Sequence, residues 1–314
     1  MKRILTLATA AAALALAGPA SAFPDKPVTM IIPLGAGGSH DLNARVITSV
    51  LPTYLGQPVI VQLMPGAGGQ TGTAAAAQAE ADGHTMIFTH NFIDQLQQFV
   101  ANVPYKPNED FVAVARPNTA QPILVVREDS EFKTFDDLVA YGKANPGKLR
   151  FGHSGNWGAF MVPGAALLQA AGVQGTLVPY QGGGPAMQAL LAGDSDFTMA
   201  FASVLSGQEG KLRPLLVIGD EKILEGVPTT AELGYQVVTD IGVMHRGVMV
   251  PAGVPAERLE ILRAAFDKLA EDETYKGLMD KLGENTAHMD GAEFQKLRET
   301  QAAAYKELVE TFKQ

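Results

Sequence analysis

Short apolar runs alternate with segments whose apolar residues recur every three or four positions, and this alternation continues along most of the chain. The run at residues 28–33 is typical of a buried parallel strand, whereas the segment opened by Asp41 carries its apolar residues on one helical face. Pro52 should end that helix early, because proline lacks the backbone N–H that a helix interior requires. Residues 59–63 repeat the strand pattern, and an Ala-rich stretch reaching Ala81 repeats the helix pattern. This order predicts an α/β fold with parallel strands.

A second series of the same elements begins near residue 123. Thr134 and Asp137 form a capping-box pattern, which predicts a helix that starts there and ends at Asn145. The other strands are predicted at residues 85–89, 123–127, 149–152, 176–179, 197–200, 212–218 and 247–250. The other helices are predicted from about 158 to 171, at 185–191, at 255–270 and at 292–312. Two lobes joined by short crossings fit this layout better than two independent domains.

The first 22 residues have the pattern of an export signal rather than of folded structure. Two basic residues precede an apolar stretch, and residues 20–22 (ASA) provide a cleavage site of the A-x-A type. Gly18-Pro19 stops the apolar stretch short of the ~18–20 residues that a membrane span needs. We therefore expect cleavage after Ala22 and a mature protein in the periplasm.

Composition excludes several classes of function. The net charge is −9 and no cationic tract is present, which argues against nucleic acid or an anionic membrane surface as a partner. The chain has no cysteine, which excludes disulfides, thiolate metal sites and cysteine nucleophiles. The six histidines show none of the short spacings typical of metal sites. We expect neither a metal nor a cofactor.

Three glycine-rich turns, at residues 34–39, 154–158 and 181–184, each lie between a predicted strand and a predicted helix. Such turns expose backbone N–H groups at a helix N-terminus, which carries a partial positive charge. In an open α/β sheet they lie at the carboxyl ends of the strands, where ligands bind. One such turn is a weak signal, because glycine is common in tight turns. Three of them, divided between two lobes, predict a cleft that holds an anion from both sides.

The motifs of nucleotide binding and of serine hydrolases are incomplete. The turn at residues 35–40 lacks the last glycine of the dinucleotide fingerprint, and no turn carries the Lys-Ser/Thr of a P-loop. Residues 152–155 (GHSG) resemble the nucleophile elbow of serine hydrolases, but Asn156 replaces its final glycine. Ser154 is therefore interpreted as a hydrogen-bonding turn residue, and a serine hydrolase that uses it remains an alternative.

Several segments together match the pattern of one known family. The opening carries the first part of the match, with FPDKPVTMIIP at residues 23–33 and GGSHDLNAR at residues 37–45. Further matching segments are LGQPV (55–59), PGAGG (65–69), DGHT (82–85), AYGKANPGK (140–148), VPYQGGGPA (178–186), LLAG (190–193), GKLR (210–213), VPT (227–229) and PAG (251–253). In this order and over nearly the whole mature chain, they resemble the solute receptors of tripartite tricarboxylate transporters, also called Bug receptors.

That resemblance implies a type II periplasmic binding-protein fold, with two lobes of mostly parallel sheets around a ligand cleft. Residues 23–121 would form the first part of lobe 1, residues 122–246 would form lobe 2, and residues 247–314 would return to lobe 1 and end in C-terminal helices. Carried over by motif, the ligand-binding residues are Gly37, Gly38, Ser39, Asp41, His90, Asn91, Ser154, Gly155, Asn156, Trp157, Tyr180, Gly182 and Gly183. His153, Trp157 and His245 depart from the residues usual at their positions, so the cleft chemistry is expected to differ from the family average.

Arg246 stands where the chain would leave the second lobe, and we expect it to supply the one charged contact to the ligand. A guanidinium suits a carboxylate, because it can donate two parallel hydrogen bonds to it. The alternative is a structural ion pair at the hinge, with Asp240 as a candidate partner.

The function implied by the resemblance is that of an exported receptor and not of an enzyme. It would capture a small organic carboxylate, expected to be a di- or tricarboxylate, in the inter-lobe cleft. It would then deliver this ligand to the integral-membrane permease subunits of a tripartite transporter, acting as a monomer and without covalent chemistry. The alternatives are the serine hydrolase named above and a ligand-sensing receptor that acts on a signalling partner.

Overall fold

The structure is a computed structural model, and it describes residues 23–180, 182–205, 208 and 210–312. The predicted export signal at residues 1–22 and Gln181 of the third glycine-rich turn lie outside the described residues. Within those residues, no helix combines the length and the apolar character needed to cross a membrane.

Strands and helices alternate as the sequence pattern predicts. The strands are β1 (Val28–Ile32), β2 (Val59–Leu63), β3 (Thr85–His90), β4 (Phe111–Ala120), β5 (Ile123–Arg127), β6 (Leu149–His153), β7 (Gly175–Pro179), β8 (Thr198–Ala200), β9 (Leu212–Val217), β10 (Met244–Pro251) and β11 (Met289–Asp290). The α-helices are α1 (Ser39–Val50), α2 (Pro52–Leu55), α3 (Gln70–Ala77), α4 (Gln97–Val100), α5 (Pro107–Asp110), α6 (Phe135–Ala144), α7 (Met161–Ala170), α8 (Gly183–Ala192), α9 (Ala202–Leu205), α10 (Gln236–Gly242), α11 (Ala256–Glu271), α12 (Glu273–Lys281) and α13 (Gly291–Phe312). A 3-10 turn (Ala67–Gly69) precedes α3, and a π-helical segment (Phe92–Leu96) precedes α4.

A six-stranded sheet in the order β11-β4-β10-β3-β1-β2 forms one half of the framework. β1 pairs in parallel with both β2 and β3, whereas β10 runs antiparallel to β3 and to β4. Successive residues of β1 belong to different apolar clusters, Met30 to one and Ile31 to another. The sheet is therefore covered on both faces, which explains why its strands appear in the sequence as continuous apolar runs.

The remaining strands form two smaller groups. β8, β5 and β9 make an antiparallel sheet, and β6 pairs in parallel with β7. A bridge between Phe151 and Phe197 joins the two groups. Their rings stack with centroids 4.7 Å apart in a core that also takes in Tyr305 of α13. Because α13 also contributes Phe294 to a cluster of the larger sheet, this helix packs against both halves of the framework.

The α/β class is confirmed, but the pairing is more mixed than the predicted parallel sheets. Among the described residues, five of the eight strand pairings are antiparallel. In the larger sheet β10 runs antiparallel to both β3 and β4, and in the smaller sheet β5 runs antiparallel to both β8 and β9. β4 was not predicted, because Pro117 and Asn118 interrupt its apolar pattern. The predicted lobe boundaries remain a prediction.

Two local signals at helix ends are confirmed, whereas Asp41 does not open α1: the helix begins at Ser39, and Asp41 lies in its first turn. Leu51 separates α1 from α2, and Pro52 occupies the first position of α2 as its missing N–H allows. At α6 the Thr134 hydroxyl accepts from the Asp137 N–H, and the Asp137 carboxylate accepts from the Thr134 N–H, which completes the predicted capping box. The helices α10 and α12 were not predicted. No side chain of the described residues caps the start of α10, whereas Asp272 caps α12 by accepting from the Tyr275 N–H at 2.9 Å, a local signal that could have predicted that helix.

Candidate functional site

One cavity of about 580 Å³ collects loops from both halves of the framework. Its lining residues follow the carboxyl ends of the parallel strands β1, β2, β3, β6 and β7, where an α/β fold places its ligands. They are Leu34, Gly68, His90, Phe92, Ile93, Gln97, Ser154, Gly155, Asn156, Trp157, Gly158, Ala159, Pro179, Tyr180 and Gly182. A larger cavity of about 660 Å³, beside Arg116 and His245, receives none of the glycine-rich turns, so the candidate site is the smaller one.

The loop after β6 is shaped by backbone conformations that few residues adopt. Gly155 has φ = +125° and Trp157 has φ = +55°, which turn the chain sharply between strand and helix. The buried ring of His153 contacts the carbonyl of Gly155 through Nδ1 at 3.0 Å and fixes the start of the loop. The Tyr180 N–H donates to the carbonyl of His153 at 2.9 Å, which ties this loop to the one after β7.

Hydrogen-bond donors converge on the side of the cavity that the loops after β6 and β7 form. Gly182 precedes α8 with φ = +115°, and no side chain of the described residues caps the helix there. Its N-terminus therefore presents unpaired N–H groups and a partial positive charge. Within the described part of the chain, the N–H groups of Gly155 and Asn156 donate to no backbone carbonyl. The arrangement can bind an anion without a cationic side chain.

His90 brings a neutral imidazole to the cavity. Burial, reinforced by the nearby charge of Arg246, lowers its pKa to about 3. Its Nδ1 has no hydrogen-bond partner among the described residues. His40 lies beside it with ring centroids 5.2 Å apart, and burial holds the pKa of His40 well below its ordinary value as well. Neither ring therefore supplies a positive charge near neutral pH.

The structure brings seven of the predicted site residues together in this cavity: His90, Ser154, Gly155, Asn156, Trp157, Tyr180 and Gly182. Sequence reasoning did not single out Gly68, although residues 66–72 repeat the same strand, glycine turn and helix pattern. It also missed Phe92, Ile93 and Gln97. These three lie in or after the π-helical segment, for which the sequence carries no start signal.

Of the first glycine-rich turn, Leu34 lines this cavity, whereas Gly37, Gly38, Ser39 and Asp41 are not among its described lining residues. Their role in ligand binding stays a prediction. Asp41 is buried and accepts a hydrogen bond from the Gly37 N–H at 2.8 Å, so it closes its own turn. Arg45 pairs with its other oxygen at 3.0 Å. Burial opposes ionisation of Asp41, but these two contacts outweigh it and hold the pKa below its ordinary value.

Asn91 and Gly183 are likewise not part of the lining. The Asn91 amide donates to the Val243 carbonyl at 2.9 Å and to the Tyr305 hydroxyl at 2.6 Å. Its oxygen accepts from the His245 N–H at 3.0 Å, so the side chain is a buried structural link. Gly183 lies in the first turn of α8, where an added Cβ would approach the Phe160 ring to 3.1 Å.

Arg246 is fully buried and forms an ion pair, but not with the predicted partner. Its guanidinium lies 2.7 Å from a Glu284 carboxylate oxygen and also donates to the Ser39 hydroxyl, which in turn donates to Glu284. Asp240 instead accepts from Gln236 at 2.7 Å. The structural ion pair left open by the sequence analysis is therefore present, and Arg246 does not line the cavity. Glu284 was not foreseen, because only the tertiary fold brings its loop to β10.

Comparison with known proteins shows the family to which the chain belongs. Residues 43–313 match the family described as tripartite tricarboxylate transporter family receptor. The protein BugT of Bordetella pertussis is 34% identical over 230 residues, which cover 70% of this chain and 70% of BugT.

Solved structures show the same fold. MatC from Rhodopseudomonas palustris, with bound malate, is 26% identical with a TM-score of 0.77, covering 91% of this chain and 100% of that one. The periplasmic binding protein BugD is 26% identical with a TM-score of 0.78, covering 92% of this chain and 98% of that one. The predicted periplasmic binding-protein fold is thereby confirmed. The chain belongs to the tripartite tricarboxylate transporter receptor family, which is a family of solute-binding receptors and not of enzymes.

Proposed function

We propose that this protein captures a small organic carboxylate in the 580 Å³ cavity and delivers it to the membrane permease of a tripartite transporter. It would do so in the periplasm as a monomer, after removal of the export signal at residues 1–22. The observation that carries the proposal is the convergence of unpaired backbone donors at the uncapped start of α8 and in the loop after β6. The malate bound to MatC, which shares this fold, supports a carboxylate as the ligand.

Binding in this proposal is non-covalent. The carboxylate accepts hydrogen bonds from the N–H groups near Gly155 and Gly182, and the partial charge of the α8 N-terminus adds to them. The net charge, −9 for the full sequence and −11 without Lys2 and Arg3 of the export signal, does not prevent this, because surface charges are screened beyond about 8–10 Å whereas the donors act at contact distance. Ser154 serves as a further polar group of the loop and not as a nucleophile.

Thermal denaturation with a panel of carboxylates tests the proposal. We expect at least one of acetate, benzoate, malate, adipate and citrate to raise the melting temperature, because a ligand that binds only the folded state stabilises it. Calorimetry and the emission of Trp157, the single tryptophan, then give the affinity. A panel in which no carboxylate binds would contradict the proposal.

The Gly182→Val variant tests the donor site itself. A branched side chain beside the uncapped N-terminus of α8 obstructs the anion, and we expect at least a tenfold loss of affinity. Gly226→Val is the matched control, since Gly226 also has a positive φ (+74°) and open space around it but lies outside the cavity. Equal affinity in the two folded variants would show that the N-terminus of α8 does not bind the ligand.

Delivery is tested with membrane vesicles that carry the permease subunits of the source organism. We expect them to take up the radiolabelled ligand only when purified receptor is added. Uptake that proceeds equally well without the receptor would contradict the transport role and leave capture as a separate activity.

A further inference from the structure

The residues that line the candidate cavity carry no charge. Among the described lining residues there is no Lys, Arg, Asp or Glu, and the one titratable imidazole, His90, is neutral. Arg246, a buried cation whose charge acts on His90, is already compensated by Glu284 at 2.7 Å. A negative charge on a ligand would therefore be held by neutral hydrogen-bond donors, from the backbone and from side chains such as Ser154 and Asn156, and not by a cation.

The backbone donors described above lie on one wall of the cavity. They belong to the loops after β6 and β7, which are neighbouring strands whose last residues, His153 and Pro179, lie opposite each other in parallel register. Adjacent strand ends bring the two loops to one place, where they can surround a single carboxylate. The wall supplied by the larger sheet and the π-helical segment presents Leu34, Phe92 and Ile93 instead.

Aromatic and aliphatic groups make up much of the remaining lining. Phe92, Trp157 and Tyr180 contribute rings, and Pro179 and Ala159 add apolar surface. The polar groups on the far wall are neutral. The oxygen of Gln97 already accepts from Gln70 at 3.2 Å, which leaves the Gln97 amide nitrogen and the imidazole of His90 for a neutral substituent of the ligand.

We propose that the cavity selects an aromatic monocarboxylate, with its carboxylate at the loops after β6 and β7 and its ring among the apolar side chains. This inference rests on the proposed function and replaces the di- or tricarboxylate expected from the family resemblance. A second carboxylate would be buried against Leu34, Phe92 and Ile93 with no cation to pair with it, and unpaired buried charges are strongly disfavoured. An aromatic ring in the same position gains apolar burial and ring contacts.

Matched ligand pairs test this selectivity on the full-length mature protein. Benzoate and terephthalate share a ring and differ by one carboxylate, and hexanoate and adipate differ in the same way on a flexible chain. We expect the monocarboxylate of each pair to bind at least tenfold more tightly, and benzoate to bind more tightly than hexanoate. Tighter binding of terephthalate or adipate would overturn the inference while supporting the proposed capture of carboxylates. If none of these four ligands binds, and neither malate nor citrate binds, the proposed function is overturned instead.

A variant pair tests the role of the aromatic wall. Trp157→Ala should weaken the binding of benzoate at least tenfold and the binding of hexanoate by less than threefold. Trp157→Phe should restore most of the affinity for benzoate. Equal losses for the two ligands in Trp157→Ala would show that the ring does not select aromatic ligands and would overturn that part of the inference.

Discussion

Burial is the main cause of the lowered pKa values of two histidine side chains in this protein. His90 and His245 both have pKa values lowered to about 3, in each case by burial first and by a neighbouring arginine second. For His245 the arginine is Arg116, whose Nη1 lies 3.2 Å from Nδ1. Both rings remain neutral through the physiological range. The candidate site consequently keeps the same charge from pH 5 to pH 8.

Buried neutral histidines make stability depend on pH. In the unfolded chain His245 takes up a proton as the pH falls below about 6.5, whereas in the folded protein it stays neutral until about pH 3. The unfolded state binds more protons in this window, so the free energy of unfolding falls as the pH falls. Between pH 7 and pH 5, we expect the free energy of unfolding of His245→Gln to fall by about 2 kcal/mol less than that of the parent, as measured by urea denaturation. His288→Gln is the control for a partly exposed histidine, and equal losses in parent and His245→Gln would contradict the assignment.

Buried ion pairs connect helices and strands that are distant in sequence. Arg298 of α13 is fully buried, and its Nε and Nη2 atoms donate to the two oxygens of Asp94 at 2.7 and 2.9 Å. The same side chain donates to the Pro107 carbonyl at 2.7 Å. Asp94 lies in the π-helical segment that supplies Phe92 and Ile93 to the cavity, so α13 holds one wall of the site in place.

Breaking this link should therefore affect both stability and binding. Arg298→Met leaves the Asp94 carboxylate buried and unpaired, and we expect a loss of about 3–5 kcal/mol in the free energy of unfolding. We also expect a severalfold loss of ligand affinity under conditions where the variant is folded. Lys106→Met removes an exposed pair with Glu109 and should change the free energy of unfolding far less, because solvent screens exposed ion pairs. A parent-like denaturation midpoint in Arg298→Met would contradict the role of this link.

For the molecule as a whole, the Arg246–Glu284 pair joins three distant parts of the chain. Arg246 lies in β10, Ser39 begins α1, and Glu284 follows α12, and all three meet in one hydrogen-bonded group. Glu284 is 38 residues from Arg246 along the chain, and Ser39 is 207 residues away. Such contacts stabilise the assembled fold without touching the cavity.

A double-mutant cycle separates this structural role from ligand binding. Arg246→Met alone should lower the free energy of unfolding by about 3–5 kcal/mol, because it leaves Glu284 buried without a partner. Replacing both partners, in Arg246→Met with Glu284→Leu, should recover most of that loss. We expect both variants to keep ligand affinity within about threefold of the parent wherever they are folded. A large loss of affinity with unchanged stability would instead make Arg246 a ligand contact.

The sequence alone determined those features that depend on neighbouring residues. The strand and helix alternation, the end of α1 before Pro52 and the capping box at Thr134 follow from local periodicity and local hydrogen bonds. The loops after β6 and β7 were also identified, because glycines that must adopt positive φ stand out in any sequence. Ser154 to Trp157, Tyr180 and Gly182 were therefore predicted as site residues and do line one cavity.

Only the tertiary structure decided which of these features meet. The turn at residues 34–39 is also rich in glycine, yet Asp41 closes it through the Gly37 N–H, and its described glycines do not line the cavity. The ion-pair partner of Arg246 could not be predicted from neighbouring residues either, because Asp240 is close to it in sequence whereas Glu284 is close to it only in space. Phe92 and Ile93 were missed because the π-helical segment is stabilised by α13, which lies some two hundred residues further along the chain. The chemical character of the cavity depends on such distant contacts, because charge and apolar surface are brought to it from elements that the sequence keeps far apart.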